Sequence, residues 1–285
     1  MTIYQPDACR LFNPPMEGML HYHFIGATLV RTEGQDSGVI DIEAFRKQFD
    51  NSIAAKAAAD GAPIMLDIEA SPGQSLRWFN DWDDKTGAFW PTERWQAAAA
   101  EEDRQSLECL NYVRSKCPGN RIISYGYQLF GRTGRDITSG LENYWDGRTP
   151  MNRDKYKREY PAWAKFSLRN GGYIEALDAL YVEQYFQFTE PQMRFWWPEM
   201  LEALSYWPKP LVHLFWARPG NHTQLHLHTF VAAFAKMLAT YPETLEVALW
   251  RDGVKDEPTA EVQDVAGYFV NQLRLARHST YDLGD

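Results

Sequence analysis

Cysteine is scarce in this chain: 285 residues hold three, Cys9, Cys109 and Cys117. An odd number with no metal-type spacing supports neither a disulfide framework nor a thiolate cluster, so the expectation is a reducing compartment. Long apolar runs are missing too. Nothing reaches the roughly 18 consecutive apolar residues of a membrane-spanning helix, and no membrane partner is expected. Met1–Pro15 lacks a basic start followed by an apolar stretch, which predicts a cytoplasmic protein, or one released without a signal peptide. Positive charge is in deficit, with 29 Lys and Arg against 38 Asp and Glu and a formal net charge of −9. Phosphate contacts need clustered Lys and Arg, so nucleic acid is not an expected partner. A Gly-rich phosphate loop is absent, as is a Gly-x-Ser-x-Gly elbow, and no cofactor is expected. Internal repeats, low-complexity tracts and linkers are also missing, which points to one domain over residues 1–285.

What the chain has in abundance is aromatic residues: 11 Trp, 15 Tyr and 15 Phe. Many stand beside Gly, Pro or Asp instead of within apolar runs. Such rings line sites that stack on planar or sugar-like ligands, although a large core also uses large residues.

Short apolar runs alternate with helical patterns. The strand candidates are Met19–Thr28, Pro63–Glu69, Arg121–Gln128, Ala179–Phe186, Pro210–Ala217 and Leu245–Trp250. Ile42, Phe45, Phe49 and Ile53 mark one helical face, capped by Asp41 and closed by Gly61. Leu107, Leu110 and Val113 mark a second, ended by Pro118-Gly119. Gln224–Thr240 is a third helix, and Val262, Val265, Phe269 and Leu273 face one side of a fourth. This alternation predicts the α/β class, as a TIM-like (β/α) barrel that is irregular or has fewer than eight strands. Two long connections follow strands, at 71–91 and 129–160. The first carries Trp78, Phe79, Trp82, Phe89 and Trp90. The second is rich in charge of both signs. Loops of this length are commonly functional, and the alternative is a pair of solvated insertions.

The sharpest motif is Asp67-Ile68-Glu69 at the end of an apolar strand. Alternation puts both carboxylates on one face, with Cα atoms about 6.5–7 Å apart. Two buried carboxylates push their proton affinities apart, so that one becomes a proton donor while the other stays ionised. Alternatively, one caps a turn and the other pairs with an arginine. Other strand ends add to the motif. Tyr125 and Tyr127 share a face, as do Tyr181, Glu183 and Tyr185. Trp216 and Trp250 each close a run. Acids that transfer protons, phenols that hold hydroxyls and indoles that stack on sugar faces suit a glycan substrate.

The order of these segments resembles the hyaluronidase family of glycoside hydrolases. The corresponding stretches are Asp67-Ile68-Glu69, Ser124-Tyr125-Gly126-Tyr127, Ala179-Leu180-Tyr181-Val182-Glu183-Gln184-Tyr185 and Leu249-Trp250. The resemblance implies a substrate-assisted retaining reaction at an N-acetylhexosamine, an exception to the two-carboxylate rule. Glu69 would be the general acid. Asp67 and Tyr181 would orient the acetamido group, and Trp250 would wall the sugar pocket. Tyr125, Tyr127, Tyr185, Trp216, Trp78 and Trp82 would bind substrate. Two departures stand out. The family's Pro-Ser is Val182-Glu183 here, which adds Glu183 as a possible partner of Glu69 in an ordinary two-carboxylate reaction. The family's paired disulfides cannot form from these cysteines, which makes a bacterial or phage glycan at least as good a candidate as hyaluronan.

Two further readings stay open. One is a barrel that binds glycan without cleaving it, as part of a larger assembly. The other is a metal-dependent amidohydrolase-type enzyme, in which His21 and His23 are joined by His213 and Asp252. That family's bridging lysine is not evident, and His222, His226 and His228 lie in or beside a helix. The preferred reading assigns no metal and expects His21 and His23 to lie beside the catalytic carboxylates. Oligomeric state is not legible.

Overall fold

A computed structural model describes residues 1–7, 10–27, 29–30, 39–68, 82–83, 88–89, 92–124, 171–183, 205, 209–216, 224–240, 245–250 and 258–281. Among the described residues, seven strands are hydrogen-bonded into a closed barrel, in the order Thr2–Pro6, Glu246–Trp250, Leu211–Trp216, Ala179–Glu183, Ile122–Ser124, Ile64–Asp67 and Met19–Gly26. Every pair in it with an assigned register is parallel. The irregular barrel with fewer than eight strands, expected from the sequence, is the fold observed.

The chain divides into two compact units. The first comprises Met1–Tyr22, Gln184–Leu204 and Leu211–Asp285. It holds β1 (Thr2–Pro6), β10 (Leu211–Trp216), α5 (Gln224–Ala239), β11 (Glu246–Trp250) and α6 (Ala260–Tyr281). Strand β1 pairs with β11 on one side and with the start of β2 (Met19–Gly26) on the other. It is absent from the strand candidates because Gln5 and Pro6 break any apolar run. Gln5 is nonetheless buried, and both ends of its side-chain amide are hydrogen-bonded. Oε1 accepts from the N–H groups of Leu11 and Phe12, and Nε2 donates to the Phe12 carbonyl. The helices pack on β10 through a stack of rings: Phe215 and Phe269 lie 3.8 Å apart and nearly parallel, and Phe234 lies 5.8 Å from Phe269.

The second unit comprises His23–Glu183 and Ser205–Pro210. It contains the rest of β2, the short pair β3 (Leu29–Val30) and β4 (Val39–Ile40), then α1 (Ile42–Ser52) and α2 (Ala54–Asp60). These are followed by β5 (Ile64–Asp67), β6 (Trp82–Asp83), β7 (Ala88–Phe89), α3 (Thr92–Lys116), β8 (Ile122–Ser124), α4 (Tyr173–Ala176) and β9 (Ala179–Glu183). Asp41 caps α1, accepting from the Ala44 N–H at 2.9 Å. Phe45 and Phe49 bury the predicted face. The single expected helix breaks at Ile53 (φ −129°, ψ −19°), and α2 then runs to Gly61, whose φ of 67° is the left-handed stop. The Asn120 amide donates to the Ala57 and Ala62 carbonyls, satisfying the end of α2. The connection at 71–91 is not wholly irregular, because β6 and β7 pair antiparallel within it. The connection at 129–160 lies outside the described residues.

Candidate active site

Parallel register decides which residues share a side of the sheet. Gly26 stands opposite Asp67, Phe24 opposite Met65, and His23 opposite Ile64. Since side chains alternate along a strand, Asp67 and Gly26 belong to one side, and His23 and Ile64 to the other. On Asp67's side, Met65 is aligned with Ile123 and Ile123 with Ala179. Tyr181 and Glu183 follow Ala179 along β9 at even steps, which continues the same alternation in the backbone.

Asp67 is the last residue of β5 and is half-buried. Its carbonyl accepts from the Ala27 N–H at 2.9 Å, which locks the strand end to β2. The residue opposite is a glycine, where a Cβ would make ordinary van der Waals contact with Asp67. A Cβ at position 26 would stand 3.6 Å from the Asp67 main-chain oxygen and 3.8 Å from Oδ2. Longer side chains would reach over the acid.

A buried polar group lies within electrostatic reach of Asp67. Tyr173 is fully enclosed, its hydroxyl donates to Ser124 Oγ at 3.1 Å, and its N–H donates to Asp103 Oδ1 at 3.0 Å. Burial pushes the phenol well above its usual range, the Ser124 contact pulls the other way, and Cys109, Asp103 and, least, Asp67 push it further up. The phenol is therefore a fixed neutral donor. Sequence reasoning missed Tyr173 and Asp103, and their only signal is burial, since neither stands at a strand end.

In the other unit, Trp250 is the last residue of β11, half-buried, and is paired in register with Trp216, the last residue of β10. Both tryptophans thus close parallel strands as the sequence predicts. Glu69, Tyr125, Tyr127, Tyr185 and Trp78 lie outside the described residues, and Tyr181, Glu183, Trp216 and Trp82 are described as strand backbone.

The histidines depart from expectation. The carboxylate that meets His23 is Asp60, at the end of α2, with Nε2 2.9 and 3.1 Å from its two oxygens. Asp67 lies three residues further along the paired strands and on the opposite side. Among the described residues, His21, His23 and Asp60 form a group whose potential ligand atoms all lie within 4.8 Å of one another. His213 is not in it. That residue is enclosed in β10, where burial lowers its imidazole to about 3. Asp252 lies outside the described residues.

No protein-family profile matches the chain, and no curated protein matches it by sequence. Solved structures do. The chain is similar in fold to a hyaluronidase. Bee venom hyaluronidase matches with a TM-score of 0.57 at 14% identity, over 97% of this chain and 99% of that one. Bee venom hyaluronidase in complex with a hyaluronic acid tetramer matches at 0.51 and 13% identity, over 90% and 86%. At such identity the likeness is one of fold. Among the described residues, no helix is long and apolar enough to cross a membrane.

Proposed function

We propose that this protein is a glycoside hydrolase acting on an N-acetylhexosamine-containing glycan, with Glu69 as general acid. The observation that carries the reading is the position of Asp67, a half-buried acid at the carboxyl end of a barrel strand with a glycine opposite. The carboxyl ends of parallel barrel strands are where this architecture builds its active sites. The fold likeness to a hyaluronidase that binds a hyaluronic acid tetramer supports a glycan as ligand.

In this mechanism Glu69 gives a proton to the leaving oxygen as the glycosidic bond breaks. The acetamido oxygen of the substrate attacks the anomeric carbon. Asp67 and Tyr181 orient that acetamido group, and Asp67 balances the positive charge that develops on its nitrogen. Water then completes hydrolysis, with Glu69 accepting the proton. Trp250 supplies an apolar wall for a sugar ring, with Tyr125, Tyr127, Tyr185, Trp216, Trp78 and Trp82 as further substrate contacts.

The test uses N-acetylhexosamine oligosaccharides. Glu69→Gln keeps shape but removes the transferable proton, so turnover should fall about 10²–10⁴-fold while binding survives. Asp67→Asn should also slow the reaction. Glu183→Gln should have a small effect under substrate assistance. A loss as large as that of Glu69→Gln would instead make Glu183 the second carboxylate of an ordinary site. Unchanged turnover in Glu69→Gln removes Glu69 as the acid. A wild-type protein that binds these sugars without cleaving them is a non-catalytic glycan-binding barrel.

A further inference from the structure

Gly26 stands at the Asp67 strand end although neither backbone nor packing calls for a glycine there. A glycine inside a strand weakens it, because it packs no side chain and loses much conformational freedom on folding. Where one is found, the backbone is left-handed or bulged, or something approaches it closely. Gly26 is the last residue of β2, in parallel register with Asp67. Among the described residues, the glycines with positive φ are Gly18, Gly61 and Gly171, so conformation does not require a glycine at 26. Packing does not require one either. A Cβ there would stand 3.6, 3.8 and 4.0 Å from its nearest neighbours, all of them atoms of Asp67.

Two contacts mark which side of the sheet the helices pack on. His23 meets Asp60 at the end of α2, and Ser124, level with Leu66, meets Tyr173 of α4. His23 is three residues from Gly26, and Leu66 is next to Asp67. By alternation, Gly26 and Asp67 therefore face away from those helices, on the side where a substrate would meet the acid.

We propose that Gly26 is a specificity-determining residue: it leaves room for the N-acyl group of a 2-acylamino sugar against the Asp67 carboxylate, and sets how long that acyl chain can be. The inference rests on the reading of Asp67 as the acid that orients an acetamido group. A group hydrogen-bonded to Asp67 lies about 2.7–3.2 Å from a carboxylate oxygen. Oδ2 is 3.8 Å from the place of a Cβ at position 26, so a side chain extending beyond Cβ competes with the bound group for the same volume. The Ala27 N–H donates to the Asp67 carbonyl at 2.9 Å, which ties the two strand ends together and keeps them from sliding apart to make room.

Stability separates this role from a structural one. Alanine is held in a strand at less entropic cost than glycine, and its Cβ here meets only van der Waals contacts. Gly26→Ala should therefore leave the thermal midpoint unchanged or raised. Its cost should appear instead in which acyl group is accepted, since one methylene against a pocket wall is worth about 10–200-fold in kcat/KM. A glycine kept for the fold would behave in the opposite way, with a lowered midpoint and a loss that ignores acyl length.

The experiment compares wild type, Gly26→Ala and Gly26→Val on N-acetylhexosamine oligosaccharides and on the same sugars carrying N-propionyl groups. The readout is kcat/KM, or Kd if the wild type binds without cleaving, with the thermal midpoint of each protein alongside. Gly26→Ala should lower the ratio of N-propionyl to N-acetyl at least tenfold relative to wild type. Gly26→Val should lose at least tenfold on the N-acetyl sugars themselves. If the valine variant fails to fold, the alanine variant decides alone. An unchanged acyl preference in Gly26→Ala, or an equal loss on both sugars with a lowered midpoint, would overturn the proposal and leave the glycosidase reading standing on wild-type turnover. A wild type that neither binds nor cleaves N-acetylhexosamine sugars removes that reading, and this proposal with it.

Discussion

Single residues in this barrel are governed by what surrounds them more than by type. His213 shows this most clearly. Its imidazole is lowered to about 3 by burial, against about 6.5 in an unfolded chain. Between those values the unfolded chain takes up a proton that the folded chain refuses. Stability therefore falls as pH drops from about 6.5 toward 3. His213→Gln should show a shallower pH dependence of urea-unfolding stability between pH 6.5 and 4, whatever its stability at pH 7. An unchanged slope would mean that His213 takes up its proton in the folded state too. The cysteines respond to the same physics: burial pushes Cys109 up to about 12 and raises Cys117, so neither is a ready nucleophile. Asp67 was legible because four apolar residues lead straight into it. The His23–Asp60 pair was not, because it depends on the register of β2 against β5, and Asp60 reads in sequence as an ordinary helix end.

At the scale of the element, the ends are set by individual residues that the sequence displays openly. Asp41 and Gly61 bracket α1 and α2 as their types predict, whereas the break at Ile53 carries no glycine or proline to announce it. Asp41→Ala should cost about 1 kcal/mol through the lost bond to Ala44. Nothing lies within 4 Å of a Cβ built at Gly61, so Gly61→Ala should cost about 1–2 kcal/mol from backbone conformation alone. Chemical denaturation measures both. A Gly61→Asn variant should recover part of the loss, because asparagine tolerates the left-handed region better than alanine does. Strand β1 was the barrel strand missing from the sequence candidates, and the short pairs β3–β4 and β6–β7 were missing as well. Five residues with Gln5 and Pro6 among them look like a polar leader, and Gln5 becomes a core residue only when Leu11 and Phe12 fold back to meet its amide.

For the whole molecule, alternation of strands and helices was enough to give the barrel class, while the strand count was one short. That missing strand makes a sharp test, because β1 is bonded on both sides, to β11 and to β2. Removing residues 1–6 should therefore abolish a single cooperative unfolding transition, with calorimetry or two spectroscopic probes as the measurement. A truncated chain that still unfolds in one sharp step would show that the ladder of β1 is dispensable.

The order in which the ribosome delivers these pieces sets a timetable for assembly. Tyr4 donates to the Glu246 carboxylate at 3.0 Å across 242 positions of chain. The unit containing both is interrupted by nearly the whole of the other, His23–Glu183. During synthesis β1 is made long before its β11 neighbour, which follows more than two hundred residues later. The interior unit has all its described strands in hand long before that, and is free to form first. Closure then becomes a late, long-range event, which slows folding and leaves one margin of β1 open to mispairing while it waits.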